Sequence, residues 1–172
     1  MMLYFSNALL LVVLICAGNE VQAQDTLQWG NDNKLTWGDF KGRADSTSRN
    51  LAISSTGIAY SFRYSDTGFT YNTIAFFDRN KSWKKQLAGT GILKHEQGHF
   101  DITEIFARKL HAYFGNLKPS KKTIEKNVSQ LAEKIIQQKN DFQKKYDAET
   151  NFGMNKEAQA RWETIIEKEL TQ

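Results

Sequence analysis

Two histidines four positions apart constrain this chain more than any other feature. His95-Glu96-Gln97-Gly98-His99 falls inside an apolar stripe that includes Ile92, Ile102 and Phe106 and continues toward Leu110 and Tyr113. The period of that stripe predicts a long helix from about Leu87 to Gly115. On a helix, side chains at i and i+4 point the same way, so both imidazoles can reach one ion at roughly 2.0–2.1 Å. Glu96 is turned about 100° from His95, placed to hold a water activated by that ion without binding the ion itself. This division of labour suits a hydrolytic zinc site. The ion acidifies its water, and Glu96 takes the proton as the water attacks a carbonyl, then returns it to the departing amine. The chain has 3 His, and two unpaired imidazoles in an apolar stripe would be costly, which weighs against a chance arrangement.

The remaining composition narrows the choices. A single cysteine, Cys16, excludes an intramolecular disulfide and the paired-cysteine zinc and redox motifs, so any metal site must draw on His and carboxylates. With 172 residues, 40% of them hydrophobic, the chain is long enough for one cored domain and short for two. Ala8 to Gly18 is an apolar run too short to span a bilayer. It reads as the core of a signal peptide over residues 1–23, with cleavage before Gln24 after Val21-Gln22-Ala23. The domain is then 24–172, which retains 23 basic and 18 acidic residues, a charge of +5. The Lys residues are scattered along helical segments among Glu, the pattern of solvated helix faces and not of a nucleic-acid surface.

Strand signals fill the first half and helical ones the second, with the change near Lys81 to Gly91, which predicts an α+β domain. Lys34 to Trp37 is a strand candidate. Ile53 to Tyr64 has period-two alternation, with Ile58, Tyr60 and Phe62 on one side. Ser65-Asp66-Thr67-Gly68 supplies turn chemistry before a second run, Phe69 to Phe77, so the two form a hairpin. After Gly115, Pro119-Ser120 signals the start of an amphipathic helix running to about Thr150, with Gly153 as terminator. A third helix follows with Asn155 as N-cap and Ala158, Trp162, Ile165 and Ile166 as its buried stripe.

A catalytic zinc usually has three protein ligands, and the motif supplies two. On the same helix Asp101, Glu104 and His111 lie about 240°, 180° and 160° from His95, so none shares its side. Asp101 and Glu104 are better suited to orienting a ligand or packing the helix. The third ligand must come from an element folded back onto this one, and the richest cluster is Tyr146-Asp147-Ala148-Glu149-Thr150-Asn151-Phe152-Gly153.

HEQGHFDITEIFARKL from His95 to Leu110, YDAETNFG from Tyr146 to Gly153, the later Gln159 and Trp162, and LTWGDFKG from Leu35 to Gly42 together resemble a family of secreted bacterial proteins. It is the domain of unknown function numbered 922, whose members are often described as predicted zinc-dependent proteases. The resemblance implies a zincin-like domain with His95 and His99 as metal ligands and Glu96 as catalytic base. One departure is the Phe at 152, where many members carry His; Phe can neither bind a metal nor donate to a transition state. If that His is the third ligand, the site here is weakened or inactive; if Asp147 is, the site is intact. Asp147 is preferred to Glu149, because the shorter side chain loses less rotamer freedom when fixed. Helix lengths counted from Ser120 place it about 10 Å beyond the level of the histidines, a mismatch that an offset turn, crossed helices or an early helix end near Lys145 would absorb.

These residues lead to an expected function: a secreted or periplasmic zinc-dependent metallopeptidase. Its metal is held by His95, His99 and Asp147, and it acts on a peptide or protein, with no nucleic-acid partner and no membrane association once the leader is removed. The alternative is a zincin-like domain that binds metal or a protein partner without turnover. The four tryptophans, Trp29, Trp37, Trp83 and Trp162, are expected in the core more than in a groove. Tyr146 is a candidate oxyanion donor that equally fits the buried stripe of its helix. Gly98, costly inside a helix, suggests a close approach by another backbone.

Overall fold

The computed structural model describes residues 25–65, 68–118, 120 and 122–171. The leader 1–23 with Cys16, the cleavage point before Gln24, the turn residues Asp66 and Thr67, and Pro119 lie outside the described residues. The strands are β1 (Thr26–Gln28), β2 (Ala52–Ile53), β3 (Thr56–Ser65), β4 (Gly68–Asp78) and β5 (Trp83–Lys84). The helices are α1 (Thr90–Gly115), α2 (Ile124–Thr150) and α3 (Lys156–Leu170). The order is that of an α+β domain, antiparallel strands first and helices after, as the sequence pattern predicts. None of the described helices is long and apolar enough to cross a membrane.

β3 and β4 form the expected hairpin, paired from Thr56 opposite Phe77 to Ser65 opposite Gly68, and β1 pairs with the other side of β4. Ile58, Tyr60 and Phe62 are half-buried while Ala59, Ser61 and Arg63 between them are exposed, so one face of the sheet meets the helices and the other meets water. α1 lies on that face with Phe100, Ile102, Leu110 and Phe114 fully buried. Each such side chain contributes roughly 1.5–3 kcal/mol by leaving water. One apolar cluster joins α1 to α2 and α3 through Val128, Ile135, Tyr146, Trp162 and Ile166. A second joins α1 to the N-terminal segment and strands through Leu35, Phe40, Phe77 and Ile92.

The strand expectations need two corrections. Lys34 to Trp37 is not a strand: Trp37–Asp39 forms a single 3-10 turn, because Asp39 Oδ2 accepts both the N–H and the hydroxyl of Thr36, at 2.8 and 2.7 Å. A local side-chain acceptor of this kind competes successfully with a ladder. Ile53 to Tyr64 is not continuous either, for Ala52–Ile53 pairs with β5 in a separate two-stranded sheet. The break falls at Ser54 and Ser55, where the Ser54 hydroxyl donates to the Glu96 carbonyl at 3.3 Å and the Ser55 N–H donates to Ser82 Oγ at 2.9 Å. In α3, Asn155 caps as expected by accepting from the Ala158 N–H, but Ile165 is exposed, outside the buried stripe.

α2 returns along α1 and reaches the level of the histidines without breaking. It starts at Ile124, four residues later than Ser120, so Asp147 lies roughly 35 Å along it, against roughly 30 Å from His95 to the end of α1. The late start removes most of the mismatch, and no early end near Lys145 is needed. Gln143 fixes the register by donating from Nε2 to the His99 carbonyl at 2.9 Å and to Thr103 Oγ1 at 3.1 Å.

Candidate metal centre

α1 presents His95 and His99 on one side one turn apart, and α2 presents Asp147 to both. Asp147 Oδ1 is 3.1 Å from His95 Nε2 and 2.9 Å from His99 Nε2, and the two Nε2 atoms are 3.2 Å apart. The three side chains offer ligand atoms all within 4.8 Å of one another. Glu149 faces elsewhere, its Oε2 accepting from the Trp162 indole at 2.8 Å, so of the two carboxylates near the end of α2 only Asp147 reaches the histidines. Burial works to raise the pKa of Asp147, but hydrogen bonds from His95 and His99 outweigh it and hold the carboxyl at about 2.

The His95 ring is fixed on every side. It is 2% exposed and stacks on Tyr146 with ring centres 4.5 Å apart. Its Nδ1 lies 3.2 Å from Gln159 Oε1, which can only accept, so Nδ1 is the donor to Gln159, and Nε2 is turned toward Asp147 and His99. Thr150 Oγ1, 3.4 Å from Nδ1, donates its own proton to the Tyr146 carbonyl at 2.7 Å, so it too is an acceptor for His95. Tyr146 is fully buried, and its hydroxyl donates to the His95 carbonyl at 3.2 Å and receives from Gln159 Nε2 at 2.9 Å. Burial raises its pKa far above the ordinary tyrosine value, against a smaller opposing effect from Gln159. The structure therefore makes Tyr146 a wall and anchor of His95, not an oxyanion donor.

Two glycines allow this closeness. A Cβ on Gly98 would collide with the Tyr146 hydroxyl, so the group that approaches Gly98 is a side chain and not the expected backbone. A Cβ on Gly153 would meet His95 Cβ at 2.7 Å, and Gly153 has φ +80°. α2 ends at Thr150; its C-cap, Asn151, has φ 47° and ψ 53°, and Phe152 follows at φ 53°. Asn tolerates that left-handed region, whereas Phe there costs roughly 1–2 kcal/mol. The turn is held because the Phe152 N–H donates to the Asp147 carbonyl at 2.9 Å and the Asn155 N–H donates to the Thr150 carbonyl at 2.8 Å.

A small opening of about 120 Å³ leads to the group. It is lined by His95, Glu96, His99, Gln143 and Asp147 and by the segment from Asn50 to Ser54, Ile92 and Phe152. Glu96 is 4% exposed, and its Oε2 is the one buried side-chain polar atom among the described residues without a hydrogen-bond partner. The donor set, two imidazole nitrogens and a carboxylate oxygen, is one that zinc accepts, and Glu96, which carries the unpartnered oxygen, lines the same opening.

The other candidates on α1 go elsewhere. Asp101 accepts from the Trp29 indole at 2.7 Å and from Gln97 Nε2 at 2.8 Å, Glu104 pairs with Arg108 at 2.8 Å, and His111 packs beside Tyr71. Trp162 is buried in the core, while Trp29, Trp37 and Trp83 are half-buried. Thr150, Gln143 and Ser54 are contributors that pattern reading missed; Gln143, one turn before Asp147, had only its spacing to signal it.

This is an α+β domain with a two-histidine, one-carboxylate group at the open end of a helical hairpin. Residues 75–153 match the profile of the family described as "Bacterial protein of unknown function (DUF922)", which supports the resemblance carried by the two motifs around His95 and Asp147. The matched segment contains His95, Glu96, His99 and Asp147, while Leu35 to Gly42, Gln159 and Trp162 lie outside it. No curated protein and no solved structure matches the chain.

Proposed function

We propose that this protein is a zincin-like, zinc-dependent metallopeptidase that works outside the cytoplasm, secreted or in the periplasm. The observation that carries the reading is the convergence of His95, His99 and Asp147, with Glu96, whose Oε2 has no hydrogen-bond partner, lining the same opening. Imidazole, imidazole and carboxylate converging on one point form a donor set that suits zinc. When bound, zinc supplies a Lewis acid that polarises a carbonyl and acidifies water.

The chain's own residues do the rest. His95, His99 and Asp147 hold the ion. Gln159 and Thr150 keep the His95 proton on Nδ1, and Gln143 fixes the backbone at His99. Glu96, with no internal partner on Oε2, is the group that takes the proton of the attacking water and returns it to the departing amine.

The test is a zinc titration followed by assay on a peptide library. We expect about one zinc per chain, abolished by His99→Ala, and peptide cleavage that Glu96→Gln lowers by about 10²–10⁴-fold while zinc stays bound. Protein that stays metal-free after dialysis against micromolar zinc overturns the reading. Zinc binding without cleavage of any library peptide leaves the alternative, a zincin-like domain that binds metal or a protein partner without turnover.

A further inference from the structure

The aromatic side chain at the mouth of the site has no structural role that accounts for it. Phe152 is 49% exposed, and it belongs to neither apolar cluster of the core. It nevertheless occupies a left-handed backbone position, φ 53°, that an aromatic residue rarely adopts and that Asn or Gly would fill without strain. Its N–H is bonded to the carbonyl of Asp147, so the same helix end fixes both residues. The same opening is lined by Leu51, Ile53 and Ile92 as well as by the reactive groups, so apolar side chains share it with Phe152. A strained backbone and an exposed aromatic at one position, both facing a cleft, are features that selection for a ligand explains and core packing does not.

We propose that Phe152 is the specificity-determining residue of this site, and that the substrate is a polypeptide presenting a large apolar side chain to Phe152 and the Leu51 and Ile53 side chains that line the same opening. The proposal rests on the peptidase reading for its ligand class. A small or polar side chain would leave the lining wet, whereas a Leu or Phe side chain removes its own apolar surface and that of the lining from water together.

Binding separates this inference from the reading beneath it. Two fluorescent peptides, identical except for Phe or Gly at the central position, are titrated by anisotropy into zinc-loaded Glu96→Gln protein, with and without Phe152→Asn or Phe152→Leu. Asn accepts the left-handed turn, so Phe152→Asn removes the ring without disturbing the backbone. We expect the Phe peptide to bind at least about tenfold tighter than the Gly peptide. That ratio should fall to near unity with Phe152→Asn and recover in large part with Phe152→Leu. An absent preference, a preference undiminished by Phe152→Asn, or no binding of either peptide overturns the proposal. If wild-type protein cleaves peptides without such a preference, the peptidase reading stands and the proposal falls. If the preference is found and depends on Phe152 but the wild type cleaves nothing, the proposal stands and the peptidase reading falls.

Discussion

Asp101 and Asp147 are both largely buried carboxylates at the flanks of α1, and they differ in what faces them. Asp101 accepts from the Trp29 indole and the Gln97 amide, and Gln97 in turn accepts from the Leu35 N–H at 2.7 Å. Every group that faces Asp101 is a permanent donor, so the cluster is closed and ties the N-terminal segment to the helix. Asp147 faces two imidazole nitrogens, each of which can be either donor or acceptor. A carboxylate among permanent donors is structural cement; among groups able to surrender a proton, it is a candidate ligand.

Exchanging the two roles gives the largest expected effect. Asp147→Ala should weaken zinc binding by more than about 100-fold, beyond the 10–100-fold typical of an orienting partner. Asp101→Ala should leave zinc affinity in place and cost roughly 1–3 kcal/mol of stability, since the Trp29 indole loses its acceptor. Calorimetric titration and denaturant unfolding read the two effects separately; equal zinc losses in both variants would break the comparison.

The second contrast uses the glutamines. Gln159→Leu removes the acceptor that holds the His95 proton on Nδ1 and should lower zinc affinity about 10–100-fold, whereas Gln97→Leu should not. Competition with a chromogenic chelator measures both, and a Gln97→Leu loss as large as that of Gln159→Leu would contradict the assignment.

The smallest effect is on acid stability without metal. The folded-state pKa of Asp147, about 2, lies below its ordinary value of 3.8, so its contribution is fully present above pH 3.8 and is lost as pH falls toward 2. The full shift corresponds to roughly 2 kcal/mol, and solvent screening at a side chain 28% exposed reduces that to about 1 kcal/mol. Denaturant unfolding of metal-free protein at pH 5 and pH 2 should show this loss, and Asp147→Asn should flatten it. An unchanged slope in the variant would remove Asp147 from the account.

The parts of this arrangement that follow from local spacing are legible in the sequence. His95, Glu96 and His99 share a helix, so i, i+4 geometry alone brings the imidazoles together; angle excludes Asp101 and Glu104 on that helix, while the choice of Asp147 over Glu149 rests only on its shorter side chain. The supporting layer is not legible, because Gln159 and Thr150 meet His95 only through the packing of α2 and α3 on α1, which no periodicity encodes. Gly98 flagged a close approach without naming Tyr146 for the same reason. In the strands, the Thr36–Asp39 cap and the Ser54–Ser55 detour won over apolar alternation, since short polar side chains capture backbone groups before a ladder can form. β1, β2 and β5, each of two or three residues, are too short for a period to be read.

The open-ended hairpin of α1 and α2 has a consequence in polymer terms. Its connection lies at the far end of both helices, so His95 and Asp147, 52 positions apart, are held together by packing and not by chain proximity. Any cross-link between them closes a loop of that length, and in the chain-entropy account of disulfides such closure is worth on the order of 4 kcal/mol. An ion held there would act as a clasp on the free ends of two levers, assembled only when the helices dock and released when they part. Occupancy of the site would thus report the folding of the whole hairpin.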